Sequence, residues 1–265
     1  MEYLQFVLYG LIQGFTEFIP ISSTAHLKVI SFLLGIDDPG SSLSAIIQFG
    51  SVMALICYFR NDFFKLRDLF SKKSFNYFFR QRLFRSILIG TIPIVLIGGS
   101  IKLFLPNYGV IFRSNFSIAV VSILTSIFMY LADNAKKGSI NLNNHNYSDS
   151  LLIGFSQAFA IFPGFSRSGI TISTALISGW ERYDAAKFSF LLGIPAIFLA
   201  AIVEFIFSFN ESPTFSFFPL IVGLTSTFFS SLIAIDILLK YLSSNGLKLF
   251  IIYRVIFGVV ILVNL

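Results

Sequence analysis

Charged side chains are scarce in this sequence. Only 12% of its 265 residues are Asp, Glu, Lys or Arg, whereas 55% are hydrophobic. A soluble domain needs roughly 25% charged residues to cover its surface, so the deficit excludes that class of protein. Apolar runs comparable to the roughly 20 residues that cross a bilayer recur along the chain instead. Because no polar linker separates them, we predict a single integral membrane domain over residues 1–265 that is surrounded by membrane lipids.

Cysteine and histidine are also nearly absent. The one cysteine, Cys57, lies in an apolar run, which excludes a disulfide framework and a cysteine-based metal site. The two histidines are His26, within an apolar region, and His145, in a polar stretch that we expect to be solvated. Only His26 is therefore a candidate for chemistry at membrane depth.

The net charge of +6 is concentrated in one loop. Residues 60–85 contain eight Lys or Arg and two Asp, and the rest of the chain sums to zero. This pattern does not indicate a nucleic-acid partner, because a short basic loop between apolar segments marks the cytoplasmic side of a membrane protein. With this loop inside, both termini are predicted to be external. The six predicted full spans are 43–60, 84–104, 115–132, 185–207, 217–239 and 247–264.

Two further apolar regions, residues 3–36 and 150–180, do not fit as spans. Each is interrupted near its centre by proline, serine and charge, the first around Pro20 and the second around Pro163. The arms on either side have about 15 residues, fewer than the roughly 20 that span a bilayer comfortably. Backbone that is not helical at membrane depth is tolerated where it is buried in protein or lines a wet cavity. We therefore predict two re-entrant helical hairpins.

The two hairpin regions resemble each other in sequence. In each, a glutamine follows a glycine by three residues, as Gly10 and Gln13 in the first region and Gly154 and Gln157 in the second. Each region precedes three full spans, and an odd number of crossings inverts the second half relative to the first. We predict an all-α polytopic membrane protein with an inverted-topology repeat, six full spans and two re-entrant hairpins. The repeats cover about 1–133 and about 150–265, and the hairpin tips meet near the midplane.

The tip of the first hairpin gathers reactive side chains within ten residues. Glu17 can orient a nucleophile, take a proton or bind a cation, and His26 can exchange protons near neutral pH. Ser22, Ser23 and Thr24 begin the returning helix, whose unpaired N–H groups and dipole bind phosphate. Alternatively, these hydroxyls only cap that helix and His26 is a hydrogen-bonded core residue.

The tip of the second hairpin is cationic. Arg167 is flanked by Ser166 and Ser168 at a second helix N-terminus, and its guanidinium fork matches phosphate oxygens. Gly164 and Gly169 would let a ligand approach the backbone closely. Two facing helix N-termini with an arginine suit a diphosphate, and a carboxylate with a serine suits its hydrolysis. The membrane setting suggests that the substrate carries a lipid tail.

Both tips resemble the signatures of a known family. The stretch from Gln13 to His26 is similar to the first signature of the bacterial undecaprenyl-diphosphate phosphatases, the bacitracin-resistance protein family, and the stretch from Pro163 to Thr171 is similar to the second. The resemblance implies that the chain removes the terminal phosphate of undecaprenyl diphosphate in the bacterial inner or plasma membrane. This reaction regenerates the lipid carrier for peptidoglycan and other cell-wall polymers, and it confers resistance to bacitracin. The likeness also includes Gln48, residues 188–192, Tyr253 and Arg254.

The resemblance implies roles for individual residues. Glu17 matches the family's essential acidic residue and Arg167 its essential arginine, while Ser23 matches the proposed nucleophile and His26 the proposed base. Glu17 either handles protons or holds a divalent cation, Mg²⁺ or Ca²⁺. It would be the only carboxylate of its motif in such a site, because Gln13 stands where many members have Glu. No organic cofactor is implied. The predicted substrate-binding residues are Gln13, Ser22, Thr24, Gly164, Ser166 and Ser168.

Other functions remain open from the sequence. An inverted repeat with broken helices is also transporter architecture, so a transporter or flippase for a lipid phosphate is the alternative. A phosphatase that works through two histidines would need a second histidine at membrane depth, which the polar surroundings of His145 do not provide. The sequence permits an oligomer without indicating one. It also leaves open whether Ser23 or a water molecule attacks phosphorus.

Overall fold

The computed structural model of the chain describes residues 2–36, 38–62, 82–105, 112–136, 138–209 and 216–264. These residues are helical or irregular, apart from an isolated parallel bridge between Ile140 and Trp180. The helices are α1 (Glu2–Phe18), α2 (Ser23–Leu34), α3 (Gly40–Tyr58), α4 (Arg82–Phe104), α5 (Asn115–Asp133), α6 (Tyr147–Gln157), α7 (Arg167–Ile177), α8 (Arg182–Phe209), α9 (Phe217–Ser244) and α10 (Lys248–Asn264), with a 3₁₀ turn at Ala158–Ile161.

Four helices in this part of the chain are long and apolar enough to cross a membrane. They are α4, α5, α8 and α9, and they coincide with four of the predicted spans. The prediction of a polytopic all-α membrane protein is therefore confirmed. The other two predicted spans correspond to α3, which is apolar from Leu43 to Tyr58, and to α10, which has 17 residues. In the predicted cytoplasmic loop 60–85, residues 63–81 lie outside the described residues.

Each region predicted to be a broken hairpin folds as two short helices with a sharp connection. Helices α1 and α2 meet at residues 19–22, and the 3₁₀ turn with residues 162–166 joins α6 to α7. Helix α2 has 12 residues and α7 has 11, so each rises only about 16–18 Å, less than the roughly 30 Å of a hydrocarbon core. Pro20 and Pro163 lack the N–H that a continuous helix needs, and Gly164 adopts a φ of 96°.

The helices that begin the two hairpins pack on long helices in the same way. Helix α1 packs most extensively on α9, and α6 packs on α4, while α3 lies against α8 and α5 against α10. The glycines of the repeated pattern make both crossings close. A methyl group added at Gly10 would overlap the carbonyl oxygen of Gly223, and one added at Gly154 would overlap the backbone of Gly90. Close approach of small residues is the usual way in which membrane helices associate.

The prediction that His145 is solvated is wrong. Its side chain is 1% exposed, its Nε2 shares a 2.7 Å hydrogen bond with Ser86 Oγ, and its ring packs 5.1 Å from that of Trp180 and 5.8 Å from that of Phe188. The polar stretch around it folds back over the start of α4 and α8, so burial lowers the pKa of His145. His145 is a core histidine whose contacts, Ser86, Trp180 and Phe188, lie outside both hairpin tips.

Candidate functional site

The first hairpin turns through one strained residue. Ser22 has a φ of 78°, and it is the only residue other than glycine with a positive φ in the part of the chain that the structure describes. Side chains rarely adopt this left-handed conformation, and such residues cluster at functional sites. The turn points the N-terminus of α2 back toward the end of α1. Ser23, the first residue of α2, therefore lies beside Glu17, near the last turn of α1.

Glu17 is the centre of the polar cluster. Its side chain is only 7% exposed. One carboxylate oxygen, Oε2, accepts hydrogen bonds from Gln13 Nε2 at 2.8 Å, from Ser23 Oγ at 3.1 Å and from Gln48 Nε2 at 3.4 Å. The other, Oε1, accepts from Arg167 Nη2 at 3.0 Å. A buried carboxylate with this many donors is held in one orientation by its neighbours.

Arg167 joins the second hairpin to the first. It begins α7, where the Ser166 hydroxyl caps the helix by accepting from Gly169 N at 3.1 Å. Its Nη1 donates to the carbonyl of Ser189 on α8 at 3.3 Å, and its guanidinium lies 5.8 Å from the ring centroid of Phe18. The 3.0 Å ion pair with Glu17 spans 150 residues of sequence. The two tips are therefore brought together, as the repeat predicted.

A polar cavity of about 80 Å³ lies between the two tips. On this measure a water needs roughly 10–15 Å³, so the cavity can hold several water-sized groups, enough for a phosphoryl group. Two buried polar atoms of its lining residues, Ser22 Oγ and Arg167 Nε, have no hydrogen-bond partner among the described residues. The cavity is lined by Thr16, Glu17, Ser22, Ser23, Thr24, Gln48, Ala160, Phe165, Ser166 and Arg167.

Most of the site residues predicted from the sequence meet at this cavity. Six of them line it, namely Glu17, Ser22, Ser23, Thr24, Ser166 and Arg167. Gln13 donates a hydrogen bond to Glu17. Ser168 is fully buried and shares a 3.2 Å hydrogen bond with Ser166 Oγ, and Gly164 offers its carbonyl to Arg254. Gln13, Ser168 and Gly164 are not among the lining residues, so their predicted substrate contacts remain predictions.

His26 belongs to a separate group of contacts. Its Nδ1 lies 2.8 Å from the carbonyl oxygen of Ser22, and its Nε2 lies 2.6 Å from the hydroxyl of Tyr253 on α10. The ring is stacked on Phe257 with 4.3 Å between centroids, and the residue is 4% exposed. Both ring nitrogens are thus engaged away from Glu17. The role of His26 as a base stays a prediction.

The structure adds residues that had no predicted role. Gln48 is a single amide within the apolar helix α3, and it reaches both the cavity and Glu17. Ser189 holds Arg167 through its carbonyl and shares a 2.5 Å hydrogen bond with Thr171 through its hydroxyl. A lone amide in an apolar run is a signal that could have identified Gln48. No comparable signal marks the backbone carbonyl of Ser189.

The described residues contain no group of three or more His, Cys, Asp or Glu side chains that could hold a metal ion. Mg²⁺, however, is commonly held by one or two carboxylates together with phosphate oxygens of the substrate. Glu17 is a carboxylate of this kind at the cavity, whereas Gln13 is an amide and is not a lining residue. The donor set therefore fits a cation that binds with the substrate.

Comparison with known proteins agrees with the motifs. A family model described as bacitracin resistance protein BacA matches residues 6–260. An undecaprenyl-diphosphatase of Prochlorococcus marinus strain MIT 9312 is 73% identical over all of this chain and 99% of the relative. A protein of the same name from strain MIT 9313 is 46% identical over 96% of this chain and 86% of the relative. The similarity thus extends over nearly the whole chain.

Proposed function

Because this chain belongs to the bacitracin resistance protein BacA family, we propose that it hydrolyses undecaprenyl diphosphate to undecaprenyl phosphate and inorganic phosphate. The observation that carries the proposal is that Glu17 contacts both Ser23 and Arg167, which are the first residues of α2 and α7. The reaction recycles the lipid carrier for peptidoglycan and cell-wall synthesis and confers bacitracin resistance. The names of the relatives favour this hydrolase over the transporter or flippase that broken helices alone also suggest.

The second hairpin supplies the hydrogen-bond donors that bind the diphosphate. Arg167 presents a planar donor fork whose Nε is free of partners within the described residues, and Ser166 and the N-terminus of α7 lie beside it. The N-terminus of α2 faces the same cavity from the other hairpin. Donors fixed before the substrate arrives stabilise the charge that develops on the phosphoryl oxygens, and phosphoryl transfer depends mainly on such positioning.

The first hairpin supplies the nucleophile. Ser23 Oγ already donates its hydrogen bond to Glu17. As this oxygen forms a bond to the terminal phosphorus, its proton passes to Glu17, and the bond between phosphorus and the bridging oxygen breaks to release undecaprenyl phosphate. Water then cleaves the phosphoserine and releases inorganic phosphate. Direct attack by water that Glu17 deprotonates gives the same products, and it differs only in lacking the phosphoserine.

The alternative role for Glu17 is to hold a divalent cation, Mg²⁺ or Ca²⁺, instead of taking the proton. Its carboxylate would then bind the cation together with the phosphates of the substrate. When bound, such a cation neutralises phosphate charge and supports the role of Arg167. No organic cofactor is needed for this hydrolysis.

The same proposal includes the arrangement in the membrane. We infer six full spans and an inverted-topology repeat, with loop 60–85 cytoplasmic and both termini external. In this orientation the first hairpin enters the membrane from the outside. The packing of α1 on α9 and of α6 on α4 supports the repeat, because the two contacts are equivalent under it. Labelling of single cysteines tests this orientation. Asp37→Cys and Ser148→Cys, each in a Cys57→Ala background, should be accessible from opposite sides, and labelling of both from one side would refute the inversion.

Phosphate release by purified protein in detergent tests the proposed reaction. Detergent provides no second compartment, so transport cannot produce a signal. The intact protein should release inorganic phosphate from undecaprenyl diphosphate, and Glu17→Ala should not. An intact, folded protein that releases none, with or without Mg²⁺ or Ca²⁺, would reject the proposal in favour of transport.

A further inference from the structure

The last helix, α10, holds the turn of the first hairpin through His26. The hydroxyl of Tyr253 lies 2.6 Å from one ring nitrogen, and the carbonyl oxygen of Ser22 lies 2.8 Å from the other. Phe257, one helical turn beyond Tyr253, stacks on the imidazole with an interplanar angle of 5°. The imidazole is therefore fixed in position and in plane by α10.

The hydrogen-bond partners of His26 determine which nitrogen carries a proton. A carbonyl oxygen only accepts, so the Nδ1 that faces Ser22 must be protonated and donate. In the neutral ring Nε2 then accepts from the Tyr253 hydroxyl, and in the charged ring both nitrogens donate. In neither state does His26 have a free lone pair that could take a proton from Ser23.

The carbonyl that His26 holds belongs to the strained residue of the turn. Ser22 has a φ of 78°, and its carbonyl accepts from both the backbone N–H of His26 at 3.3 Å and the imidazole Nδ1. A serine in this conformation persists only where its surroundings fix it. The next residue is Ser23, whose hydroxyl meets Glu17. The position of the nucleophile thus depends on the hydrogen bond that His26 makes.

A second residue of α10 acts on the same turn. Arg254 is fully buried, and its guanidinium donates to the carbonyl of Pro20 at 3.5 Å and to that of Gly164 at 2.9 Å. These carbonyls lie at the breaks of the first and second hairpins. A buried guanidinium is costly unless its donors are paired, so this arrangement resists displacement of either turn. Adjacent residues of α10 therefore hold the Pro20–Ser22 backbone.

We propose that His26 and Tyr253 are positioning residues of the phosphatase reaction. Tyr253 orients the imidazole, the imidazole holds Ser22 in its left-handed conformation, and this conformation places Ser23 against Glu17. Proton transfer in the reaction is assigned to Glu17 alone. The inference rests on the proposed function and replaces the role of base that the motif predicts for His26.

Substitution of His26 separates positioning from proton transfer. The amide of His26→Asn can donate from nearly the place of Nδ1, but it cannot act as a base. His26→Leu removes the donor as well. We expect His26→Asn to keep kcat/KM within about 5-fold of the intact protein, as one lost neutral hydrogen bond allows. We expect His26→Leu to lose about 100-fold, as misplacement of a reacting group does.

The pH dependence of the same variants gives an independent readout. A positioning role predicts that His26→Asn retains the acidic limb that the intact protein shows in kcat/KM. If His26 were the base, His26→Asn would lower kcat/KM by about 10²–10⁴-fold and would abolish the acidic limb. A His26→Asn variant that loses more than 100-fold, or that loses this limb, overturns the inference.

A double-mutant cycle tests the link between Tyr253 and His26. Tyr253→Phe removes only the hydroxyl, and we expect kcat to fall about 3- to 5-fold with KM nearly unchanged, because the same single hydrogen bond is lost. In the His26→Asn background the hydroxyl has no ring nitrogen to contact, so Tyr253→Phe should cause no further loss. Equal losses in both backgrounds would overturn the link. Tyr130→Phe, on the exposed side of α5, is the matched control and should have no effect.

The assay distinguishes failure of this inference from failure of the proposed function. All variants are purified in detergent, and their melting temperatures confirm that they are folded. An intact protein that releases no phosphate overturns the proposed function, and this inference falls with it. An active intact protein with a base-like His26→Asn variant overturns the inference alone.

Discussion

Gln13 and Gln157 occupy the same place in the two hairpins, three residues after a glycine at a close helix crossing. Gln13 donates to the carboxylate of Glu17 at 2.8 Å. Gln157 is completely buried, and neither atom of its amide has a partner among the described residues. Four residues later, the first hairpin has Glu17 and the second has Ile161. The two hairpins therefore share a backbone design, but only the first has a carboxylate at this position.

The difference explains why one site needs both hairpins. At the cavity, the first hairpin provides Glu17 and Ser23 but no cation, and the second provides Arg167 but no carboxylate. Their backbones are alike where geometry matters, in the close crossing, the proline break and the helix N-terminus at the tip. The tips meet through the ion pair of Glu17 and Arg167. Chemistry at the cavity should therefore fail when either half is lost. Changes at the paired glutamines should differ in effect between the hairpins, whereas changes at the two close helix crossings should not.

The largest expected effect is loss of the cation that the second hairpin contributes. Arg167→Ala removes the phosphate fork and leaves Glu17 without its ion-pair partner, so we expect phosphate release to fall about 100- to 1000-fold. Arg167→Lys keeps the charge but not the planar fork, and should recover only part of the loss. Steady-state phosphate release in detergent measures both.

Arg182 provides the control for this prediction. It is also the first residue of a helix, α8, and it pairs with Asp133 rather than with Glu17. Arg182→Ala should keep most of the activity. Near-normal turnover by Arg167→Ala would show that Arg167 of the second hairpin does not bind the phosphate groups of the substrate.

The next effect tests the nucleophile of the first hairpin. Ser23→Ala should lower phosphate release by at least about 100-fold if Ser23 forms the covalent intermediate. Acid-quenched protein examined by mass spectrometry should then carry a phosphate on Ser23 during turnover. The comparable change in the second hairpin, Ser166→Ala, removes the cap of α7 and should cost about 1 kcal/mol of stability with a smaller loss of activity. Substantial activity in Ser23→Ala would favour direct attack by water.

The hairpins could be predicted because their signals are local. Proline, glycine and charge within an apolar region mark a break at membrane depth, and a buried carboxylate or guanidinium is costly enough to indicate function. These signals identified Glu17, Ser23 and Arg167 as candidate site residues, and the structure places them next to one another. The inversion implied by counting spans predicted that the two tips meet, and the 3.0 Å contact agrees with that expectation.

The remaining features depend on distances that no local pattern contains. His26 and Tyr253 are 227 residues apart in the chain, and only the packing of α10 brings them together. Burial of His145 was mispredicted for the same reason, because a polar stretch covered by Trp180 and Phe188 has the composition of a solvated loop. Gln48 was visible as an amide in an apolar run, but its contact with Glu17 required the helix arrangement.

A smaller effect directly compares the two glutamines. Gln13→Leu removes a donor to the carboxylate of Glu17, so we expect activity to fall about 10- to 100-fold, the range for one hydrogen bond to a charged group. Gln157→Leu exchanges an unpaired buried amide for an apolar group of similar size, and it should leave activity unchanged and stability equal or higher. Phosphate release and melting temperature in detergent measure the pair. Equal losses of activity would mean that the second hairpin contributes more than Arg167 to the chemistry.

The smallest expected effect on activity concerns the design that the hairpins share. Gly10→Ala and Gly154→Ala each place a methyl group against the backbone of a neighbouring helix, so both crossings must widen. Overpacking of this kind costs about 1–3 kcal/mol, and we expect both variants to melt at lower temperature by similar amounts. Gly99→Ala, in α4 with open space around it, is the control and should not destabilise the protein. If only one glycine proved sensitive, the two crossings would not be equivalent, and the repeat would lose the packing that supports it.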